Sequence, residues 1–566
     1  MTLDADIAIV GSGFAGSICA MIARRLGRSV VLLERGSHPR FAIGESSTPL
    51  ANLLLEELAG RYDLPALLPL TKWGSWQKHY PGIGCGLKRG FTFYHHESGQ
   101  TWQPKPERRN ELLVAASPHY EIADTHWYRP DFDSFFVGEA QRLGAKYLDQ
   151  TLLNAASIAT NSVHLSGERG GKPIEVRARF VIDASGPRGF LHRALGLGES
   201  SFAKFPDTQA LFAHFKGVRR WDASRDSGET PPYPVDDAAL HHAFEGGWIW
   251  VLRFNNGITS AGAALTESLA EEIRIADGAP AWDRLLERLP SVREQFATAT
   301  PCTPFVHSRK VSFRSDTVAG ERWALLPSAA GFVDPLLSTG FPLALLGVER
   351  LMRLVETEWE SPALASSLAR YSSITLEELD TTAALVNAIY AHLGDFEIFT
   401  ALTQLYFAAA MFAETQRRLG RGDSGGTFLM QHHPQFGPAS RACFQRAAKK
   451  VQGHERAALL RDLVAAIDPI NVGGLANPAR RNWYPARGED LLEAAPKLGV
   501  GRTEIQALLA RCGFAPPAGG EAPSNDGELA AATFHLGGEE RTAFTPPSPS
   551  SGGSAAPQTV SRPQSG

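Results

Sequence analysis

The sequence predicts an α/β fold with a parallel sheet covered by helices, an inserted antiparallel sheet and a helical C-terminal part. Three observations support this prediction. Buried-strand patterns at 7–10, 178–183 and 322–326 each run into a loop containing glycine or other small residues, as strands of a parallel sheet do. Segments such as 247–254, which lie between them, are suited to antiparallel strands. Apolar residues from about 365 to 510 recur at helical spacing.

A glycine-rich turn follows the first of these strands. The segment Gly-Ser-Gly-Phe-Ala-Gly at 11–16 matches a GxGxxG pattern, and acidic Glu34 ends the next apolar run. Gly11 permits a tight turn, and Gly13 lets backbone amides approach a pyrophosphate. Gly16 lets the following helix pack closely on the sheet, and Glu34 can accept a hydrogen bond from a ribose hydroxyl. The whole unit predicts a Rossmann-type dinucleotide site rather than an ordinary glycine-rich turn.

Composition excludes several classes of protein. Lys and Arg total 56 against 60 Asp and Glu, so the net charge of −4 gives no reason to expect a nucleic acid or an anionic membrane as partner. The five cysteines show no CxxC pair, which favours a reducing, cytoplasmic compartment without disulfides or zinc. The adjacent histidines at 241–242 and 432–433 are expected at the surface, and we predict no metal site. No apolar run of about 18 residues predicts a membrane span.

The chain divides into three predicted regions. Residues 1–360 form the nucleotide-binding domain, into which about 70–130 and 200–310 insert the second sheet as a wall of a substrate pocket. Residues 361–514 form the helical region. Residues 515–566 are dominated by Pro, Gly, Ser and Ala and are expected to be disordered, because they cannot bury enough apolar surface to offset the ordering entropy.

Four segments together resemble the flavin-dependent halogenases, a branch of the flavin monooxygenase superfamily. They are GSGFAG at 11–16 with Glu34-Arg35, GESSTP at 44–49, KRGFTF at 88–93, and GFVDPLLSTG at 331–340. An Arg-x-x-x-Asp helix start at 129–133 is common to the wider superfamily. The resemblance implies a glutathione-reductase-like two-domain flavoprotein with a Rossmann-like FAD-binding domain.

The same resemblance implies which residues hold FAD. The glycine turn and the two residues after the second strand would hold the ADP half, and the loop at 44–49 would lie beside the isoalloxazine ring. Ser328 would hydrogen-bond the ribityl chain. The expected cofactor contacts are Gly11, Gly13, Phe14, Ala15, Gly16, Glu34, Arg35, Glu45, Ser46, Ser47, Arg129, Ser328, Asp334 and Gly340.

Catalysis is assigned by resemblance to Lys88, the lysine of the K-x-G-x-x-F segment. In that family FADH2, oxygen and chloride or bromide produce hypohalite beside the flavin. The lysine then donates a hydrogen bond to the oxidant or forms a chloramine with it. Lys72 and Lys78 are rivals, but neither is followed by Gly-x-x-Phe. The alternative role for Lys88 is that of a solvated strand residue.

The fourth segment also implies a halide site. Ser338, Thr339 and Gly340 open a helix, whose free amides and positive dipole end suit an anion. The amides of Thr339 and Gly340 would bind the halide, while Ser338 could act as the helix N-cap.

Two departures from the family pattern bear on the substrate. The family's W-x-W-x-I-P signature stands here as Trp248-Ile-Trp250-Val-Leu-Arg, and Pro-Ser at 327–328 replaces Gly-Asp or Gly-Asn. Trp248 and Trp250 share one face of a strand, where they serve either as core residues or as a wall of the substrate pocket.

Leu337 is the third residue assigned to the substrate pocket. Tryptophan halogenases carry a glutamate at this place, which accepts from the indole N–H and stabilises the cationic intermediate. Leucine can do neither, so we expect a phenolic or other electron-rich aromatic substrate, with a pyrrole or carrier-bound group as second choice.

Three functions remain open at this point. The first is an FADH2-dependent halogenase supplied by a separate flavin reductase. The second is an FAD monooxygenase or a reductase of the geranylgeranyl-reductase kind. The third is a catalytically silent flavin-binding protein. A second strand–GxGxxG–helix unit is not evident, which argues against an NADPH domain within this chain.

Overall fold

The computed structural model describes residues 1–203, 205–224, 228–421 and 427–515, which belong to one compact unit. The tail expected to be disordered, 515–566, lies outside the described residues except for Ala515.

The first sheet is the predicted parallel sheet. Its central strand, Thr2–Val10, pairs in parallel with Lys172–Asp183 on one side and with Val30–Leu33 on the other. Helices cover this sheet, so its strands are continuously apolar, and Ile7 and Ile9 are fully buried. The strand order is Ala319–Gly320, Trp323–Leu325, Lys172–Asp183, Thr2–Val10, Val30–Leu33 and Lys146–Leu148, with Thr151–Ile158 and Val163–Arg169 added as antiparallel strands beside Lys172–Asp183.

The second sheet has nine strands and is largely antiparallel, as predicted. Two pairs are parallel: Gly90–His96 with Ala239–Phe244, and Trp483–Tyr484 with Glu111–Ala115. The helical C-terminal region therefore contributes a strand to this sheet. The strand order is Thr300–Pro301, Thr208–Lys216, Thr259–Thr266, Gly247–Arg253, Ala239–Phe244, Gly90–His96, Glu111–Ala115 and Trp483–Tyr484, and Val306–Ser308 also pairs with Thr208–Lys216.

A separate two-stranded sheet consists of Cys85–Lys88 and Asp124–Trp127. The segment 85–96 thus forms two strands, of which only Gly90–His96 joins the large sheet. This small sheet matters because it carries Lys88. A three-stranded sheet of Glu199–Ser200, Phe313–Ser315 and Gly331–Phe332 lies at the start of the fourth segment.

Helices connect and cover the sheets. One helix, Phe396–Arg418, is apolar and long enough to cross a membrane, but 83% of its most apolar window is buried against the rest of the protein. It packs on Pro49–Arg61 and Gly453–Ile467, as a core helix does. The α-helices are Phe14–Arg25, Pro49–Arg61, Trp73–His79, Arg129–Arg142, Phe190–Ala194, Glu267–Glu272, Ala279–Glu287, Pro290–Gln295, Pro327–Ala330, Gly340–Thr357, Leu364–Ala391, Phe396–Arg418, Phe436–Ala447, Gly453–Ile467, Gly488–Glu493 and Arg502–Arg511.

The expectation that His241 and His242 lie at the surface is wrong. Both are buried in strand Ala239–Phe244 of the second sheet, and the ring of His241 stacks on Phe93 at 4.5 Å. Burial lowers the pKa of His241 to about 3, so this ring is a neutral core residue. His432, in contrast, is exposed as expected. Within the described ranges no group of three or more His, Cys, Asp or Glu is placed to hold a metal ion.

Gly16→Ala should lower the melting temperature. A Cβ at position 16 would lie 2.1 Å from the Gly11 carbonyl oxygen and 3.0 Å from the Ala184 Cβ, and no rotamer change relieves a clash with backbone. The matched control is Gly60→Ala, near the end of helix Pro49–Arg61, where a Cβ would meet nothing within 4 Å. Differential scanning fluorimetry should give an unchanged or higher melting temperature for the control. A wild-type melting temperature for Gly16→Ala would contradict close helix–sheet packing.

Candidate functional site

The three glycines of the turn do different work. Gly11 has a φ of +99°, and a Cβ there would lie 2.6 Å from the Ala184 carbonyl oxygen, so packing and conformation both require glycine. Gly13 precedes helix Phe14–Arg25 as its N-cap, and the atom nearest to a Cβ at this position is Nη2 of Arg129 at 3.4 Å. A helix N-terminus beside an arginine and with room for a ligand suits the pyrophosphate of a dinucleotide.

Glu34 lies at the end of the second strand of the parallel sheet. Its Oε2 accepts hydrogen bonds from the amide and the hydroxyl of Ser12, at 3.2 and 3.0 Å, and pairs with Arg40 at 3.2 Å. Burial alone raises the pKa of the Glu34 carboxyl, but Arg40 and the hydrogen bonds from Gly36 and Ser12 outweigh burial and lower it. Glu34 is therefore an ionised acceptor, as ribose binding requires. Arg35 beside it is exposed.

Arg129 and Asp133 join the glycine turn to the loop at 44–49. The Arg129 guanidinium donates to both oxygens of Asp133, at 2.8 and 2.7 Å, and the pair is buried. Oδ1 of Asp133 also accepts from the Phe14 amide at 3.2 Å, while Nη1 of Arg129 donates to the Gly44 carbonyl at 2.8 Å. Because both charges are paired and hydrogen-bonded, they can be buried between the two cofactor segments.

The loop at 44–49 also contacts Lys88. Nζ of Lys88 donates to the Ser46 hydroxyl at 2.8 Å and to the Ser47 carbonyl at 2.5 Å. It also lies 3.8 Å from the centre of the Phe91 ring. The Lys88 side chain is fully buried, and this burial lowers its pKa, with partial opposition from Asp124.

The alternative that Lys88 is a solvated strand residue is therefore wrong. Its rivals have less unusual surroundings: Lys72 is half-buried at the start of helix Trp73–His79, and Lys78 is exposed.

Asp124 is the functional candidate that sequence reasoning missed. It stands directly opposite Lys88 in the two-stranded sheet and is 6% exposed. Its Oδ1 accepts from Nδ2 of Asn52 at 2.8 Å, while Oδ2 is buried and has no hydrogen-bond partner among the described residues. Burial raises the Asp124 pKa, and Lys88 opposes that effect. No local motif contains Asp124, because its relation to Lys88 arises only from strand pairing.

A cavity of about 190 Å³ is lined by Asp124 and Phe91 together with Thr48 and Pro49 of the loop at 44–49, and Phe91 also covers Nζ of Lys88. We call it the Asp124 cavity. Its volume is below the usual range for drug-sized ligands and suits a small ring compound. The residues that line it include Asn52, Glu56, Lys72, Phe91, Val114, Asp124, Tyr406, Phe407, Glu414, Arg418, Asp490 and Leu508.

The three residues expected to line a substrate pocket do not line the Asp124 cavity. They are Trp248, Trp250 and Leu337. The tryptophans do share a strand face, with ring centres 5.6 Å apart, but both are buried in the core. Nε1 of Trp248 donates to the Tyr390 hydroxyl at 3.0 Å.

The fourth segment, at 331–340, is hydrogen-bonded to Tyr390, the residue that also contacts Trp248. The Tyr390 hydroxyl donates to Oδ2 of Asp334 at 2.8 Å, and Oδ1 of Asp334 accepts from the Leu336 amide at 2.9 Å. Burial raises the Asp334 pKa to about 7, which these hydrogen bonds partly oppose. Trp248 therefore acts, through Tyr390, on a predicted flavin-contact loop rather than on the Asp124 cavity.

The end of the fourth segment differs in detail from the sequence prediction. The N-cap of helix Gly340–Thr357 is Thr339, not Ser338, and no side chain caps it. Leu337 and Ser338 have φ values of 64° and 55°, which are costly for residues other than glycine and mark a tightly constrained loop. Amides in the first helical turn have no acceptor within the helix, so this end keeps the donors that a halide needs. Ser328 is half-buried in the short helix after strand Trp323–Leu325.

Glu45 makes a contact that the sequence did not predict. Its Oε1 lies 2.7 Å from Nε2 of His214 on the second sheet, and both side chains are buried. The Glu45 carbonyl also accepts from the Trp127 amide at 2.6 Å. The loop at 44–49 is thus attached to both the two-stranded sheet and the large second sheet.

Comparisons with known proteins agree with this geometry. Residues 109–393 match the family model for tryptophan halogenase, and residues 9–53 match that for an NAD(P)-binding Rossmann-like domain. The monodechloroaminopyrrolnitrin halogenase PrnC of Pseudomonas fluorescens is 29% identical over 420 residues, covering 72% of each chain. The tetracycline 7-halogenase of Kitasatospora aureofaciens is 29% identical over 421 residues, covering 72% of this chain and 73% of the relative. The crystal structure of halogenase PltM with phloroglucinol and FAD matches with a TM-score of 0.72 and 25% identity, covering 85% of this chain and 99% of PltM.

Gly13→Val should abolish FAD binding without unfolding the protein. A Cβ at position 13 would lie 3.4 Å from Nη2 of Arg129 and 3.7 Å from Oδ2 of Asp133, which are van der Waals contacts without a clash, and the branches of valine would fill the volume that the pyrophosphate needs. The measurement is flavin absorbance after gel filtration with excess FAD, with the melting temperature of the FAD-free protein as control. A folded variant that keeps wild-type flavin absorbance would remove the turn from the cofactor site.

Proposed function

The chain belongs to the tryptophan halogenase family, and we propose that it is an FADH2-dependent halogenase that acts on a phenol-like aromatic substrate. One observation carries the proposal: Lys88 is fully buried and hydrogen-bonds the loop at 44–49, while Phe91, which covers its Nζ, and Asp124, its strand partner, both line the Asp124 cavity. A lysine in this position can receive an oxidant formed at the cofactor and deliver it to a ring in the cavity.

The residues around the glycine turn fit FAD. The amides after Gly13 and the Glu34 carboxylate would hold the ADP half. The loops at 44–49 and 331–340 would border the flavin ring, and the amides of Thr339 and Gly340 would hold the halide. When bound, reduced FAD supplies the activation of oxygen through which halide becomes hypohalite.

Lys88 has the donors and the lowered pKa needed to activate hypohalous acid or to react with it. An ammonium group has three N–H donors, and two of them are used on Ser46 and Ser47. The third can donate to hypohalous acid and make its halogen more electrophilic. Because burial lowers the pKa of Lys88, the neutral amine that would form a chloramine is also accessible.

The other two functions are less well supported. The halogenase relatives described above match this chain over most of their own length. A monooxygenase or a reductase of the geranylgeranyl-reductase kind is therefore not favoured. A silent flavin-binding protein would retain a fully buried lysine, which burial destabilises, without a use for it.

Leu337 and the size of the Asp124 cavity favour a free phenol as substrate. Leu337 is fully buried and offers no acceptor for an indole N–H. PltM, whose structure contains phloroglucinol, is the relative that supports a phenol most directly. A carrier-bound aromatic remains the second choice. We infer that a separate flavin reductase supplies FADH2, because the second GxGxxG string of this chain, at 420–425, follows a helix rather than a strand and so does not form a second dinucleotide-binding unit.

Lys88→Ala should remove halogenation while FADH2 still consumes oxygen, because the lysine acts on hypohalite after oxygen has reacted. We expect a loss of roughly 10²-fold or more in halogenated product. The matched control is Lys78→Ala, which removes an exposed lysine that should not matter. Oxygen uptake and product mass are measured in the same reaction. Near-wild-type halogenation by Lys88→Ala would return Lys88 to a structural role.

Phenols should be halogenated in preference to free tryptophan. The lack of a carboxylate at Leu337 deprives an indole of stabilisation of roughly 10²-fold, whereas a phenol supplies electron density from its own hydroxyl. Comparing kcat/KM for phloroglucinol and tryptophan under one FADH2 supply, with chloride and then bromide, tests this expectation. Efficient, regiospecific turnover of tryptophan would refute it.

A further inference from the structure

We propose that Asp124 recognises the substrate: its free carboxylate oxygen accepts a hydrogen bond from a ring hydroxyl of the aromatic compound in the Asp124 cavity. This inference rests on the proposed function, since it concerns the same site, and it names the group that selects a hydroxylated ring.

The two oxygens of Asp124 have different surroundings. Oδ1 accepts from the Asn52 amide at 2.8 Å, which fixes the carboxylate plane. Oδ2 is buried, and no hydrogen bond reaches it from the residues that the structure describes. A buried acceptor without a partner costs about 1–3 kcal/mol, and because Asp124 lines the cavity, a donor on a bound ligand would remove this cost.

The other carboxylates of the cavity already have cationic partners. Glu414 pairs with Arg418 at 2.8 Å, and Glu56 lies 3.9 Å from the same guanidinium. Asp490 pairs with Arg480 at 2.5 Å. Asp124 instead accepts from the neutral amide of Asn52, so of these four carboxylates it is the one best placed to attract a ligand donor.

The position of Asp124 also suits the reaction. Its strand partner is Lys88, and Phe91 both covers Nζ of Lys88 at 3.8 Å and lines the cavity. A ring anchored through its hydroxyl at Asp124 is therefore held next to the lysine. A carboxylate that accepts from this hydroxyl also increases electron density in the ring, which favours attack by an electrophilic halogen.

Neutral and charged ligands make different demands on this site. Burial raises the pKa of Asp124 and lowers that of Lys88, so burial favours the neutral form of each group. A neutral hydroxyl donor stabilises the carboxylate without bringing a further charge into the cavity. This is why we assign a hydroxylated ring rather than a cationic amine to the site.

The test is a binding cycle with two probes and two proteins. Phloroglucinol has hydroxyl donors, whereas 1,3,5-trimethoxybenzene has the same ring and no donor. The holoprotein with oxidised FAD, without halide, is titrated with each probe by calorimetry. Wild type should bind phloroglucinol roughly tenfold or more tighter than the ether, as expected for a hydrogen bond to a carboxylate. Asp124→Asn should abolish this ratio, because an amide N–H can then replace the free oxygen.

Size differences between the probes cancel in this cycle, since each probe is compared with itself across the two proteins. The control is Glu245→Gln, which removes an exposed carboxylate outside the cavity and should leave the ratio intact. Flavin absorbance and melting temperature check that each variant is folded. If Asp124→Asn does not fold, 1,3,5-trifluorobenzene, which is close to phloroglucinol in size and has no donor, replaces the ether against wild type, and binding as tight as that of phloroglucinol overturns the proposal.

An unchanged ratio in folded Asp124→Asn also overturns the proposal, as does failure of wild type to bind phloroglucinol. These outcomes are independent of catalysis. A protein that discriminates the probes but does not halogenate contradicts the proposed function and leaves Asp124 as the recognition residue. A protein that halogenates phenols with an unchanged ratio contradicts only the role of Asp124.

Discussion

The structure of the site depends on burying the ammonium group of Lys88. Removing such a group from water is costly unless its protons find acceptors. Ser46 and Ser47 accept two of these protons, and the Phe91 ring lies against the positive charge. The loop at 44–49 must therefore keep one position, which explains its attachment to Arg129 on the nucleotide side and to His214 on the second sheet. The same interaction holds a reactive nitrogen against the expected flavin loop and against Phe91, which lines the Asp124 cavity.

Loop residues and core residues have different roles in the two other cofactor segments, the glycine turn and the loop at 331–340. Gly11 and Gly16 are required by the packing of the turn, while the volume beside Gly13 stays open for a ligand. Trp248 and Asp334, joined through Tyr390, hold the loop at 331–340 in a conformation with two left-handed residues. The tryptophan pair, which the sequence analysis assigned to a pocket wall, thus supports the loop from behind.

The Asp124 cavity contains a carboxylate that can accept a hydrogen bond, although position 337 does not. Leu337 offers no acceptor there, but Asp124 offers one on the opposite strand from Lys88. Its carboxylate also lowers the cost of a charged Lys88, and Lys88 does the same for Asp124. The two groups are therefore best understood as one unit that serves both oxidant and substrate.

Local sequence determined the nucleotide-binding turn, the parallel sheet, the cofactor segments and Lys88, because each depends on residue types at short, fixed spacing. It could not determine which face of the protein holds the cavity, the burial of His241, or the position of Trp248 behind a loop. It also could not find Asp124 or the contact between Glu45 and His214. These features come from strand pairing and sheet packing between segments far apart in the chain, so only the tertiary structure decided them.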